Sequence, residues 1–153
     1  MLCWYLYKNV GIYFDKLPFV AVRYFVPSMT KEEKKSIEKY PFISKRKLNV
    51  RLEDLNENKI YEFHIPKGYC YDGASIPRIF WRVTGSNTDN RFLVAALIHD
   101  VLCEHHEYVD NNKSFSTNVF DTLLKGSGVS AFQRFFMKNS VACYQTVFCK
   151  WKK

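Results

Sequence analysis

The stretch from Phe92 to Asp100 reads FLVAALIHD, an unbroken apolar run that ends in His-Asp. A helix that is apolar on every side is a buried one. It carries His99 and Asp100 into the core or to its edge. A charge buried without a partner is costly, so this pair requires hydrogen-bond partners, a metal or a function. On the same helix, His99, Cys103 and His106 share a stripe with Phe92 and Ala96. Asp100 lies about 100° further round. A third candidate, Asp121, falls on the next predicted helix. The connection from Glu107 to Phe115 is short enough to return that helix antiparallel. His99 lies ~10 Å before the end of its helix and Asp121 ~7 Å into the next, so the two are expected at one level. A buried histidine with a carboxylate on its second nitrogen has a fixed tautomer and stronger basicity, which suits a general base. His99 and Asp121 are therefore the candidate catalytic residues.

Two other readings use the same residues. His99, Asp100 and Asp121 could form a satisfied polar network that tethers two helices and the glycine-rich loop before them. Zinc on His99, Cys103 and His106 is disfavoured, because three ligands spread along two turns of one stripe do not converge on an ion. His64 and His105 are expected to face solvent.

The elements that must position these groups follow from pattern. Lys67 to Gly85 reads KGYCYDGASIPRIFWRVTG, whose three glycines and one proline signal tight turns. Ile76, Ile79, Phe80 and Trp81 are too apolar for a free loop, so the segment should be pinned against the core with Asp72 in its middle. Before it, Leu48, Val50 and Leu52 alternate with polar residues, as do Tyr61, Phe63 and Ile65. That period of two predicts a hairpin around the polar loop Glu53 to Asn58. Phe19 to Val26 has strand composition and is closed by Pro27. Met29 to Tyr40 predicts a short surface helix, with Thr30 and Glu33 as a capping box. After the glycine-rich loop come three helices, about Asn90 to His106, Ser116 to Gly126, and Ser130 to Cys149. On the last, Phe132, Phe135, Phe136, Cys143 and Val147 share one side. The expected architecture is α+β: N-terminal antiparallel β hairpins, then the glycine-rich loop, then a C-terminal three-helix segment, in a single domain over 1–153.

Composition narrows the function classes. The hydrophobic share of 47%, with 13 Phe and 10 Tyr, suffices for a compact core. No apolar run approaches the ~20 residues needed to cross a bilayer. The opening MLCWYLYKNV lacks the basic-then-apolar order of a signal peptide, so an intracellular product is expected. The five cysteines are scattered with no CxxC, which favours reduced thiols. The net charge of +8 favours loose attraction to nucleic acid, anionic lipid or cell-wall polymer, with no specific nucleic-acid motif.

A set of local motifs carries a resemblance. Ile65-Pro66-Lys67-Gly68-Tyr69, Asp72-Gly73-Ala74-Ser75-Ile76-Pro77, Phe80-Trp81, Ala95 to Asp100, Phe120-Asp121 and Gly128-Val129 resemble domain of unknown function 1353, a family of tailed bacteriophages and prophages. The resemblance covers Leu48 to Phe148, with Met29 to Tyr40 as an insertion. It implies a small α+β domain of phage origin, located in the host cytoplasm or the virion, with other phage proteins as partners. Two positions depart from the family. Cys103 stands where a tyrosine is usual, and no arginine occurs among Ser116, Thr117 and Asn118.

The His-Asp helix beside a glycine loop is also similar to phospholipase A2. That similarity implies His99 as base, Asp121 as orienting acid, and Asp100 with Asp72 as calcium ligands. Carbonyls would come from the loop around Gly68, Tyr69, Gly73, Ala74 and Ser75. The disulfides of the secreted enzymes are absent. LIHDV further resembles the His-Asp metal phosphohydrolases. Those need an earlier histidine on a helix, and His64 lies on a predicted strand. Two function classes stand: a small hydrolase, esterase-like, with a His/Asp/metal site, or a non-catalytic virion, tail-associated or host-interaction protein.

Overall fold

The computed structural model describes residues 3–72 and 90–147. Strands β1 (Cys3–Tyr7) and β2 (Val10–Phe14) form a hairpin across Lys8 and Asn9, both at positive φ, 45° and 63°. Two such residues give the turn whose twist matches paired strands. β2 then pairs with β5 (Leu48–Asp54), and β5 with β6 (Lys59–Ile65), giving the sheet order β1-β2-β5-β6. The expected hairpin is present in the register Leu48 opposite Ile65 and Leu52 opposite Tyr61. Its alternate residues Leu48, Val50, Leu52, Tyr61, Phe63 and Ile65 are all buried. Burying each such side chain stabilises the fold by about 1.5–3 kcal/mol. β5 runs two residues further than the alternation implied. Asp54 ends it and accepts the backbone N–H groups of Asn56 and Glu57, which closes the turn.

A second, smaller sheet has the order β3-β4-β7, from Val20–Val22, Phe42–Ser44 and Cys70–Tyr71. The strand expected over Phe19 to Val26 shrinks to three residues, because its one partner offers only three. Between β3 and β4 lies α1 (Lys31–Lys39), with both halves of the capping box formed at 2.7 and 3.2 Å. Ile37 is its one buried residue, as a surface helix requires.

Three helices follow: α2 (Asn90–Glu104), α3 (Lys113–Gly126) and α4 (Ala131–Val147). α2 is enclosed on all sides, with Phe92, Leu93, Ala95, Ala96, Leu97, Ile98, Val101 and Leu102 buried. It stops short of His106, which begins a 3-10 turn through Val109. Asp110 and Asn111 then sit at positive φ and reverse the chain. Asn112 caps α3 by accepting the Phe115 N–H, so α3 starts three residues before the expected Ser116. It ends at Gly126 as expected, and glycine is required at that position for a steric reason. A Cβ there would run into the Tyr5 ring. The left-handed position falls instead at Gly128, φ +86°.

α4 corrects one expectation. The stripe of Phe132 and Phe135 points outward, 64% and 63% exposed, and Cys143 is exposed with it. The buried side is Met137, Val141 and Gln145. Hydrogen bonds fix this rotation. The Gln145 amide donates to Ser116 Oγ at 3.2 Å and accepts from Thr117 Oγ1 at 3.1 Å. The buried residues of the larger sheet and of the helices form one continuous core.

Candidate functional site

β7 delivers Asp72 to the side of α2. Tyr71 does the anchoring. It is 1% exposed, packs on Phe42 at 5.5 Å, and donates its hydroxyl to the Leu93 carbonyl at 3.0 Å. Two residues earlier, the Tyr69 hydroxyl donates to Glu104 Oε2 at 2.7 Å. The two tyrosines thus bind β7 to α2 on either side of the stretch holding His99, Asp100 and Cys103. Burial pushes the acidity of both hydroxyls far down. For Tyr69 the Glu104 bond and the charges of Asp100 and Asp72 add to it, and for Tyr71 the charge of Asp100 does.

At the centre, His99 is 2% exposed, with its ring against Phe120 at 5.4 Å. Its Nδ1 lies 3.4 Å from Asp100 Oδ1 and its Nε2 lies 3.6 Å from Cys103 Sγ. Burial lowers the His99 pKa to about 4, against the opposing pull of Asp72. The imidazole is neutral at pH 7. Cys103, where the resembled family has tyrosine, places a thiol against the ring.

Asp72 is hydrogen-bonded to Asp100, and burial together with that neighbouring carboxylate pushes its pKa up to about 8. Two like charges in a partly desolvated space cannot both form easily, which raises the proton affinity of Asp72. At neutral pH Asp72 therefore holds its proton beside a neutral imidazole.

Asp121 has another partner than the expected His99. Its Oδ1 accepts from Arg134 Nε at 3.0 Å, in a largely buried ion pair. Arg134 also donates to the Val129 carbonyl at 3.0 Å. Neighbouring side chains on a helix diverge by about 100°. Phe120 takes the direction facing His99, and Asp121 is turned toward α4. An acid among Val119, Phe120, Leu123 and Leu124 was the one sequence signal that such a cation existed.

Of the expected loop ligands, Gly68 (φ +89°) and Tyr69 are engaged elsewhere. The Gly68 carbonyl accepts from Cys70 Sγ at 3.4 Å, and the Tyr69 carbonyl accepts from the Ser44 N–H at 2.9 Å. Gly73, Ala74 and Ser75, with the rest of the loop through Asp89, lie outside the described residues. Among the described residues, no group of three His, Cys, Asp or Glu side chains could hold a metal. Calcium takes six to eight oxygens. The Asp72–Asp100 pair alone falls short of such a set. The stripe weighed for zinc is broken, since His106 leaves α2 and its Nδ1 pairs with Asn111 Oδ1. His64 is exposed, as expected.

Comparison with known proteins gives a family and a distant relative. The family model described as "Protein of unknown function (DUF1353)" matches residues 49–141. The uncharacterized protein y4jT of Sinorhizobium fredii (strain NBRC 101917 / NGR234) is 32% identical over 82 residues, 52% of this chain and 23% of its own. The chain thus spans about a quarter of that relative's length. No solved structure matches. Among the described residues, no helix is long and apolar enough to cross a membrane.

Proposed function

The chain belongs to that family of proteins of unknown function, and from this premise we propose that it is a phage or prophage hydrolase whose Asp72–Asp100 pair performs acid–base chemistry on an ester. The observation that carries the reading is the meeting of Asp72, Asp100 and His99 from two elements that Tyr69 and Tyr71 lock together. Paired carboxyls with one proton divide the labour of hydrolysis. The unprotonated oxygen takes a proton from an attacking water, and the protonated one gives its proton to the leaving oxygen. In this scheme Asp72 is the acid and Asp100 the base. His99, sealed from solvent, is a positioning residue. Carrying its proton on Nδ1, it donates toward Asp100 Oδ1. A hard divalent cation held by the same two carboxylates would displace that proton and would instead polarise a carbonyl by its own charge.

Hydrolysis of short-chain nitrophenyl esters and of phospholipid, with and without calcium, tests this. Wild type should turn over, Asp72→Asn should lose at least a hundredfold in kcat/KM, a general acid's typical contribution being about 10²–10⁴. His99→Gln should lose turnover while keeping its circular dichroism. No turnover by wild type under either condition sinks the proposal.

The 2% exposure of His99 favours a second reading, in which the cluster is a satisfied tether between β7 and α2 in a non-catalytic virion or host-interaction protein. Mass spectrometry of purified particles tests the virion form, and absence of the chain from them removes it.

A further inference from the structure

The turn that closes the β5–β6 hairpin lies against the start of α3, and a cleft of about 180 Å³ opens between them. Val10 and Phe115, both buried, form its floor. Its walls are polar, and their hydrogen bonds show which atoms are left over. Asp54 is 5% exposed, and its Oδ1 accepts the N–H groups of Asn56 and Glu57. Its Oδ2 has no hydrogen bond among the described residues and is not sealed in protein, so it opens on the cleft. Asn56 Oδ1 accepts from Asn9, and Asn112 Oδ1 accepts from the Phe115 N–H, which leaves the Nδ2 donor of each. Asn118 offers both ends of its amide and Ser114 its hydroxyl, neither side chain being hydrogen-bonded among the described residues. A buried carboxylate oxygen left without a hydrogen bond is costly, so whatever fills the cleft gains by donating to Asp54.

This mixture of donors and acceptors selects the ligand. A cation needs converging acceptors, whereas the two Nδ2 groups and the first N–H groups of α3 are donors. An anion needs donors or cations, whereas Asp54 and Glu57 would repel it and no Lys or Arg lines the cleft. Lys113, at the start of α3, is engaged by Thr146 instead. An extended peptide needs a sheet edge, and β2 and β5, which supply Val10 and Asp54, are interior strands. A hydroxyl both donates and accepts. A sugar ring carries several hydroxyls beside an apolar C–H face that suits the floor. The cleft is smaller than the about 300–1,000 Å³ of pockets that enclose a drug-sized ligand, which limits it to one ring. We propose that this cleft binds a neutral sugar ring, either a free monosaccharide or the end of a glycan. It shares no residue with the Asp72–His99 site.

Two-dimensional nuclear magnetic resonance of the isotope-labelled full chain tests the proposal. The titrants are glucose, galactose, mannose and N-acetylglucosamine, each as the free sugar and as its tetramer. At least one should shift the amide signals around Asp54 to Glu57 and Asn112 to Asn118 saturably, with a dissociation constant on the order of 1 mM. Because the ligand is neutral, that constant should not change with salt. Tighter binding of a tetramer than of its free sugar assigns a glycan end, and equal binding assigns the free sugar. Asp54→Asn keeps an Oδ1 for the turn and replaces the free acceptor by a donor. Asn118→Ala removes an amide that holds no other described residue. Each should weaken binding on the order of tenfold with circular dichroism unchanged. Absence of saturable shifts with every sugar overturns the proposal, as does binding undiminished in both variants. Saturable shifts of the same amides with calcium chloride or sodium phosphate, in place of sugar, also overturn it.

Discussion

Asp72 and His99 respond to their shared surroundings in opposite senses, and pH separates them. Asp72 in the folded chain holds its proton up to about 8, above an ordinary carboxyl. The folded state therefore binds more protons than the unfolded one from about pH 4 to 8, and stability falls as pH rises through that window. His99 holds its proton only below about 4, beneath an ordinary imidazole. There the unfolded state binds more protons, so stability rises with pH from about 4 to 6.5. The two slopes oppose each other below about 6.5, and Asp72 acts alone from there to about 8. Urea midpoints measured across pH should fall between about 6.5 and 8, and Asp72→Asn should flatten that fall. His99 and Asp100 stood out in the sequence because an ionisable pair ended an apolar run, and Asp72 because it broke a glycine-rich turn. The Asp121 partner was not readable in that way. Helical period tells which residues share a face but not which neighbour that face meets.

Elements show the same division between local and tertiary information. The β5–β6 hairpin, the α1 capping box and the enclosed α2 follow from alternation, cap chemistry and an all-round apolar pattern. Each is decided within a few residues. The rotation of α4 is not. Its strongest apolar stripe faces solvent, because Arg134 and Gln145 on the other side satisfy buried groups of α3. Breaking a buried ion pair costs about 3–5 kcal/mol, comparable to what two phenylalanines gain by burial, and the Gln145 bonds add to the side of the pair. Arg134→Ala strands Asp121 and should destabilise the fold by about 3–5 kcal/mol, read from denaturant unfolding. Arg134→Ala combined with Asp121→Asn should recover much of that loss. A single variant within about 0.5 kcal/mol of wild type would mean that the pair does not set the helix rotation.

At the scale of the whole molecule, the α+β order expected from the sequence is the observed one. Two antiparallel sheets precede the helices, and the larger sheet and the helices bury into one core. The division into two sheets was not legible, since β3, β4 and β7 are each too short to show a period. β7 nevertheless positions Asp72, so the least legible sheet carries part of the site. A single core predicts one unfolding transition, with far-ultraviolet and near-ultraviolet circular dichroism changing together on heating. Two separated transitions would instead mean that the small sheet melts by itself, taking Asp72 away from α2.

The raised proton affinity of Asp72 beside Asp100 is best tested by following the side-chain carboxyl carbon of Asp72 by nuclear magnetic resonance through a pH titration. Wild type should titrate near 8, and Asp100→Asn should bring that value down as the neighbouring carboxylate is lost. An Asp72 carboxyl that titrates like an ordinary aspartate, unmoved by Asp100→Asn, would contradict the site as described.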